Sequence, residues 1–213
     1  MKRIEDIITL SPVIPVLAIE NKDDAVPLAE ALIEGGLRAL EITLRTPAAI
    51  DCIKAITAQN SLAVVGAGTV LNTADYARAC DAGAQFIVSP GISEPLLDRA
   101  KQSAVPLLPG ILTASELMRG LDAGLTHFKF FPAEIGGGTA ALKALAGPFP
   151  HVRFCPTGGI TFEKAPDYLE LPNVICVGGS WLAPKAMMER QDWRRIAELA
   201  RAAAQLRKAA PRS

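Results

Sequence analysis

The feature that most constrains the fold of this chain is a repeated alternation of short apolar segments with longer amphipathic ones. The short segments are often rich in β-branched residues and have the length of strands, whereas the longer ones suit helices. The predicted strands are Val13–Ile19, Ala39–Leu44, Leu62–Gly66, Gln85–Ser89, Pro106–Leu108, His127–Phe131, Val152–Cys155 and Val174–Val177. The predicted helices are Asp23–Glu34, Pro47–Ala58, Thr73–Ala82, Glu94–Gln102, Ala114–Ala123, Gly138–Ala146, Glu163–Leu169 and Trp193–Leu206.

Strands in strict alternation with helices favour an α/β fold in which a parallel sheet closes into a (β/α)8 TIM barrel. We expect one domain over residues 1–213, with a short helix at the N-terminus and another at the C-terminus. An open doubly wound sheet is the alternative. It would normally carry a Gly-x-Gly-x-x-Gly turn after an early strand, and the sequence contains no convincing one.

The composition argues against several classes of function, including nucleic-acid binding, membrane binding and metal binding. The chain has 22 Lys and Arg against 22 Asp and Glu, so its net charge creates no field that would attract nucleic acid or a membrane. The start, Met1–Asp6, is charged and opens no long apolar stretch, so we expect a soluble, cytoplasmic protein.

The four cysteines form no Cys-x-x-Cys pair, and only two histidines are present. Reduced thiols, no metal site and no cofactor are therefore expected.

The second predicted strand places polar side chains inside the sheet. Because side chains alternate along a strand, Leu40 and Ile42 would face the helices, whereas Glu41, Thr43 and Arg45 would face the interior. Polar groups in an interior need partners or a purpose. An internal ion pair is one interpretation, and a functional site is the other.

The sixth predicted strand carries Lys129 on the same interior, together with His127 and Phe131. Burying an ammonium group is costly, which favours the neutral amine, a nucleophile toward carbonyl carbon. We therefore interpret Lys129 as a Schiff-base lysine. The alternatives are a lysine that snorkels from the strand end or one that only pairs with Glu41. His127 is predicted to be a hydrogen-bonded core residue and not a base.

Glycine-rich turns follow several strands at the end where barrels bind their ligands. Thr69 follows Gly66-Ala67-Gly68 and offers a hydroxyl at the rim. Pairs of glycines come after the last two strands, in Thr157-Gly158-Gly159 and Gly178-Gly179-Ser180. Loops in these two places often bind phosphate through their N–H groups, so we predict a phosphate site there, with simple tight turns as the alternative.

The loop after the sixth strand contains Glu134 and the run Gly136-Gly137-Gly138. It is predicted to be a flexible loop over the mouth of the barrel. Glu134 is expected to face solvent or to brace the loop, and not to act as a catalyst.

Several segments together resemble the 2-keto-3-deoxy-6-phosphogluconate (KDPG) aldolases, which often also act on 4-hydroxy-2-oxoglutarate (KHG). The resemblance covers nearly the whole chain and is strongest at Leu40–Thr46, Gly66–Val70, Ser89–Gly91, Phe128–Glu134, Arg153–Ile160 and Gly178–Leu182. The family consists of metal-independent class I aldolases of the Entner–Doudoroff pathway, usually trimeric. The chain departs from the family at Leu112, where relatives tend to have serine.

The resemblance implies a role for each matching residue. Lys129 would be the Schiff-base lysine and Glu41 the acid and base. Arg45 and Thr69 would lie around the pyruvate portion, and Pro90 and Phe131 would be further substrate-binding residues. The residues near the distal portion and phosphate would be Thr157, Gly158, Gly159, Gly178, Gly179 and Ser180. The partner would be a phosphorylated 2-keto acid, and the assembly a homotrimer.

Other activities stay open on sequence grounds. Within the family, the main substrate could instead be KHG or the C4-epimeric phosphogalactonate compound. A phosphosugar isomerase or epimerase on the same fold would use the same phosphate loops but has no need of an interior lysine nucleophile. A non-catalytic binder of phosphorylated ligands has no use for Lys129 opposite Glu41 either.

Overall fold

A computed structural model describes residues 3–206. Residues 1–2 and 207–213 of the predicted domain lie outside that part of the chain. The described residues form the strands β1 (Val13–Leu17), β2 (Ala39–Thr43), β3 (Val64–Gly68), β4 (Phe86–Val88), β5 (Leu107–Leu108), β6 (Gly110–Ile111), β7 (His127–Phe130), β8 (Arg153–Pro156) and β9 (Val177–Gly179).

One helix precedes the first strand, and the others connect the strands or follow the last of them. They are α1 (Ile4–Ile8), α2 (Ala25–Glu34), α3 (Ala49–Gln59), α4 (Thr73–Asp81), α5 (Glu94–Lys101), α6 (Ala114–Asp122), α7 (Gly138–Ala146), α8 (Ala165–Leu169), α9 (Lys185–Glu189) and α10 (Trp193–Ala204). A 3₁₀ turn, Lys22–Asp24, precedes α2. Between residues 3 and 206, no helix has both the length and the apolar character needed to cross a membrane.

Every strand pairing is parallel, as predicted. One sheet has the order β5-β4-β3-β2-β1-β9 and the other the order β6-β7-β8. Isolated parallel bridges join Phe154 of β8 to Val174, which precedes β9, and Thr157, which follows β8, to Gly178 of β9. The prediction of an α/β fold with a curled parallel sheet is confirmed. The hydrogen bonds between strands, however, define two sheets and not one ring of eight strands.

Most strand predictions need small corrections. The fifth predicted strand ends before Pro109, because proline lacks the N–H that a continuous ladder needs, and a separate strand, β6, follows it. The third starts later than predicted, since the N–H of Leu62 is taken by the Asn60 side chain in a turn. The eighth predicted strand, Val174–Val177, only bridges β8 at Val174, and the regular strand is Val177–Gly179.

Side-chain hydrogen bonds cap the N-termini of α4 and α6. Thr113 accepts a hydrogen bond from the N–H of Glu116, whose carboxylate in turn accepts one from the N–H of Thr113, so α6 begins in a complete capping box. The Asn72 side chain accepts from the N–H of Asp75 at the start of α4 in a similar way. The short helix α9 was not predicted.

The two faces of the sheet pack into separate apolar clusters. The outer cluster lies between strands and helices and includes Leu40, Ile42 and Phe128. The inner cluster contains Ile14, Phe86 and other strand residues, and α1 adds Ile7 and Ile8 to it. The interior beside α1 is therefore filled, which leaves the other end of the strands for a site.

Phe86 occupies the inner cluster opposite β3, where a glycine makes room for it. A Cβ added to Gly66 would lie 2.3 Å from Cζ of the Phe86 ring. The ring itself is fully buried. The pairing of Gly66 with Phe86 is thus a packing requirement of the interior.

Replacing Phe86 with alanine should lower the free energy of unfolding by about 3–5 kcal/mol, because a buried aromatic ring is lost and a cavity remains. Urea denaturation of the variant would measure this. The matched control is Leu62→Ala, since Leu62 is 56% exposed and should change stability by no more than about 0.5 kcal/mol. Equal shifts for both variants would contradict the packing argument.

Candidate active site

The predicted alternation along β2 is confirmed. Leu40 and Ile42 are fully buried in the outer cluster. Glu41, Thr43 and Arg45 line a cavity on the opposite face. The second strand therefore delivers a carboxylate, a hydroxyl and a guanidinium to one place.

Lys129 points into the same cavity from β7, while Phe128 and Phe130 pack outward. Its Nζ donates a hydrogen bond to Oε1 of Glu41 at 3.2 Å, and the two side chains are only 7% and 5% exposed. The Phe131 ring centre lies 5.1 Å from the same nitrogen. Lys129 does not snorkel to solvent, so that alternative is wrong, whereas the pairing with Glu41 is present.

His127 differs from its prediction. It is half-buried, not a core residue, and its Nδ1 lies 3.0 Å from the Thr126 hydroxyl. Burial lowers the pKa of His127, the nearby Glu5 carboxylate partly opposes this shift, and the Arg153 guanidinium adds to it. The residue does not line the cavity that holds Lys129.

Gly68 at the end of β3 makes room for the Glu41 carboxylate. A Cβ at this position would lie 2.2 Å from Oε1 of Glu41. No side chain could occupy that space without moving the carboxylate. A glycine at the strand end therefore serves the placement of an acid on the neighbouring strand.

Thr43 fixes the direction of Arg45. The Thr43 hydroxyl donates to the backbone carbonyl of Leu17 at 2.8 Å and accepts from Nε of Arg45 at 3.0 Å. Since Nε is held in this way, the terminal guanidinium nitrogens stay available to an anion. Thr43 was predicted to face inward but was not predicted as a site residue.

Thr69 and Pro90 bring the loops after β3 and β4 to the cavity. Thr69 has a φ of 58°, in the left-handed region that a β-branched residue rarely adopts. Strained backbone of this kind concentrates at functional positions. Pro90 approaches β6 so closely that a Cβ on Gly110 would lie 2.2 Å from its carbonyl oxygen.

The two predicted glycine turns meet at one end of the cavity. Thr157 bridges to Gly178, whose missing side chain leaves room for the Thr157 hydroxyl. Gly158 and Gly159 have φ values of 106° and 77°, which glycine adopts readily. Ser180 is exposed at the rim.

Nearly all predicted site residues surround one cavity of about 250 Å³. The exception is Gly179, which is buried and does not line the cavity. Its backbone lies against the Trp181 ring. The lining residues are Val16, Glu41, Thr43, Arg45, Thr69, Pro90, Lys129, Phe131, Thr157, Gly158, Gly159, Ile160, Gly178 and Ser180. Val16 and Ile160 were missed, although Val16 shares the inner face of β1 with Ile14 and alternation could have found it.

The chemistry that this cavity permits follows from its contents. A buried amine lies beside a buried carboxylate, so a nucleophile and a proton carrier can act on the same bound molecule. A guanidinium and glycine-rich loops are placed for anionic groups. Within the described residues, no group of three or more His, Cys, Asp and Glu side chains is arranged to hold a metal ion.

Comparison with known proteins agrees with this picture. The family described as KDPG and KHG aldolase matches residues 4–199. The KHG/KDPG aldolase of Escherichia coli K12 is 55% identical over 199 residues, which are 93% of each chain.

Solved structures of relatives also superpose closely. The KDPG aldolase of Legionella pneumophila, with pyruvate captured as a covalent carbinolamine intermediate, is 46% identical with a TM-score of 0.93, covering 94% of this chain and 98% of that one. The Zymomonas mobilis ZM4 enzyme with 3-phosphoglycerate is 50% identical with a TM-score of 0.92, covering 97% of each chain.

Proposed function

The chain belongs to the family of KDPG and KHG aldolases, and from that premise we propose that it cleaves KDPG to pyruvate and glyceraldehyde 3-phosphate through a Schiff base on Lys129. The observation that carries the proposal is the buried contact of Lys129 Nζ with Glu41 Oε1 at 3.2 Å in the cavity wall. The chain is accordingly an aldehyde-lyase of class I.

Lys129 begins the reaction as a nucleophile. Its neutral amine attacks the C2 ketone of the substrate, and loss of water from the carbinolamine gives a protonated imine. For Lys129 to be neutral, its proton must pass to the Glu41 carboxylate, the base in contact with it. Glu41 then gives this proton to the hydroxyl that leaves the carbinolamine as water, so the carboxylate is free again for the next step. The low exposure of both side chains limits competing hydrolysis by bulk water.

Glu41 then serves the bond cleavage. It accepts the proton of the C4 hydroxyl while the electrons of the C3–C4 bond move into the imine, which releases the aldehyde and leaves an enamine. The protonated Glu41 returns its proton to C3, and hydrolysis of the imine frees pyruvate. Gly68 supports this role because it leaves the carboxylate room beside Lys129.

The other cavity residues bind the two ends of the substrate. Arg45, oriented by Thr43, is assigned to the carboxylate of the pyruvate portion, with Thr69, Pro90 and Phe131 around it. The N–H groups of the turns at Gly158, Gly159, Gly178 and Gly179, with the hydroxyls of Thr157 and Ser180, are assigned to the distal hydroxyls and the phosphate.

We further propose that both sheets form one closed (β/α)8 barrel and a single domain. The support is the short gap at Pro109 between β5 and β6, together with the bridge from Thr157 to Gly178. These two connections would close the two sheets into one ring.

A cytoplasmic location is also part of the proposal, since Cys52, Cys80 and Cys155 are free thiols.

Borohydride reduction in the presence of pyruvate should attach a pyruvyl group to Lys129, located by peptide mass mapping. Lys129→Ala should form no adduct and show no aldol cleavage. Glu41→Gln should leave some adduct formation, because the Lys129 nucleophile remains, but should turn over roughly 10²–10⁴-fold more slowly, because proton transfer by Glu41 is lost.

A surface lysine provides the matched control. Lys101 is exposed on α5 and pairs only with Asp98 among the described residues, so Lys101→Ala should keep both adduct and turnover. An adduct on another residue, or near-normal cleavage by Lys129→Ala, would refute the mechanism.

Substrate choice is tested by kcat/KM for KDPG, KHG and the C4-epimeric phosphogalactonate substrate. We expect KDPG to have the highest value, because the cavity combines Arg45 with the phosphate loops. KHG should be a second substrate, as the name of the Escherichia coli relative indicates for that protein. Higher kcat/KM for either alternative would reassign the main activity.

A homotrimer is proposed on the family resemblance alone. Light scattering on the purified protein should give about three times the chain mass of 22.5 kDa. A monomer or dimer at micromolar concentration would contradict this proposal without affecting the assignment of the reaction.

A further inference from the structure

The loop after β7 lies directly on the loop proposed to bind phosphate. The N–H of Ala133 donates to the Thr157 carbonyl at 2.8 Å, and the N–H of Glu134 donates to the Gly158 carbonyl at 3.1 Å. The backbone pairing of β7 with β8 therefore continues past both strands into their loops. Any shift of Glu134 would move the backbone around Gly158.

The side chain of Glu134 also supports Gly159. A Cβ added to Gly159 would lie 2.9 Å from both Cβ and Cγ of Glu134. The methylene groups of Glu134 thus lie against the glycine backbone. Because glycine has no side chain to hold its own conformation, the left-handed turn at Gly158 and Gly159 depends on such neighbours.

Two donors from the region of α8 hold the Glu134 carboxylate. The Tyr168 hydroxyl donates to Oε1 at 2.5 Å, and the Lys164 ammonium pairs with Oε2. Tyr168 is only 1% exposed and belongs to the outer core cluster, so it is a rigid anchor. Hydrogen bonds from Lys164 and then Tyr168 lower the pKa of Glu134, which stays ionised at neutral pH.

An unpaired carboxylate at this place would oppose the binding of phosphate. Lys164 offsets that charge, since its ammonium contacts the carboxylate directly. Glu134 is not among the residues that line the cavity with Lys129. It is therefore placed to act on the loop and not on the reacting atoms.

We propose that Glu134 is a positioning residue for phosphate recognition, held by Lys164 and Tyr168 so that it fixes the Gly158–Gly159 turn in its anion-binding shape. The proposal rests on the proposed function, because it assumes that this turn receives the phosphate of the substrate. It predicts an effect on phosphorylated ligands alone.

The test uses the reverse reaction, in which pyruvate adds to an aldehyde. Glyceraldehyde 3-phosphate and glyceraldehyde differ only in the phosphate, so their kinetics isolate its contribution. Glu134→Ala should raise KM for glyceraldehyde 3-phosphate roughly tenfold, through loss of preorganisation of the loop. The constants for glyceraldehyde should stay within about twofold.

Two further measurements keep the test informative. The inhibition constant of inorganic phosphate should rise in parallel with KM for glyceraldehyde 3-phosphate. Tyr168→Phe keeps the ring in the core and removes only the hydroxyl donor, so it should change the same constants in the same direction by roughly twofold to tenfold. The pyruvyl adduct on Lys129 should form normally in both variants, which shows that the fold is intact.

The matched control is Glu170→Gln, which removes an exposed carboxylate at the C-terminal end of α8 and should change none of these constants. Unchanged kinetics with glyceraldehyde 3-phosphate, or equal losses for both aldehydes, would overturn the proposal. Failure of the proposed function looks different, because the wild-type protein would then add pyruvate to neither aldehyde and form no adduct.

Discussion

The buried contact between Lys129 and Glu41 is the interaction on which the rest of the structure depends. Two opposite charges lie 3.2 Å apart with little exposure to water, and removing them from water is costly unless each finds its partner. The two charges find each other because Lys129 on β7 and Glu41 on β2 point toward the same interior. A glycine, Gly68, leaves the space that the carboxylate needs.

The division of the interior into two parts follows from the same constraint. Beside α1 the inner face is filled by apolar side chains such as Ile7, Ile14 and Phe86. At the other end it becomes polar and open, with Thr43 and Arg45 around the ion pair. Packing of the filled part restricts the strands that carry Lys129 and Glu41, which keeps the two side chains in contact.

The proposed recognition of an anionic substrate is local in this protein. The formal net charge is zero, so no long-range field guides the ligand. Arg45 and the glycine turns are proposed to supply the attraction at short range, and Thr43 orients the guanidinium through one hydrogen bond. The contacts of Glu134 with Lys164 and Tyr168 form a second layer behind those turns, which links α8 to the chemistry without entering the cavity.

The sequence by itself determined the α/β class, most helices to within two residues, and the inward placement of Glu41, Thr43, Arg45 and Lys129 on β2 and β7, because period and alternation are local properties of the chain. It could therefore place Glu41, Arg45 and Lys129 on one interior. Only the tertiary structure decided that the nitrogen of Lys129 meets a carboxylate 88 positions away, that β6 follows Pro109, and that β9 begins at Val177. It also decided which partners hold Glu134. Contacts of this kind depend on the curvature of the sheet and on side-chain packing across it, and neither leaves a periodic signal in the sequence.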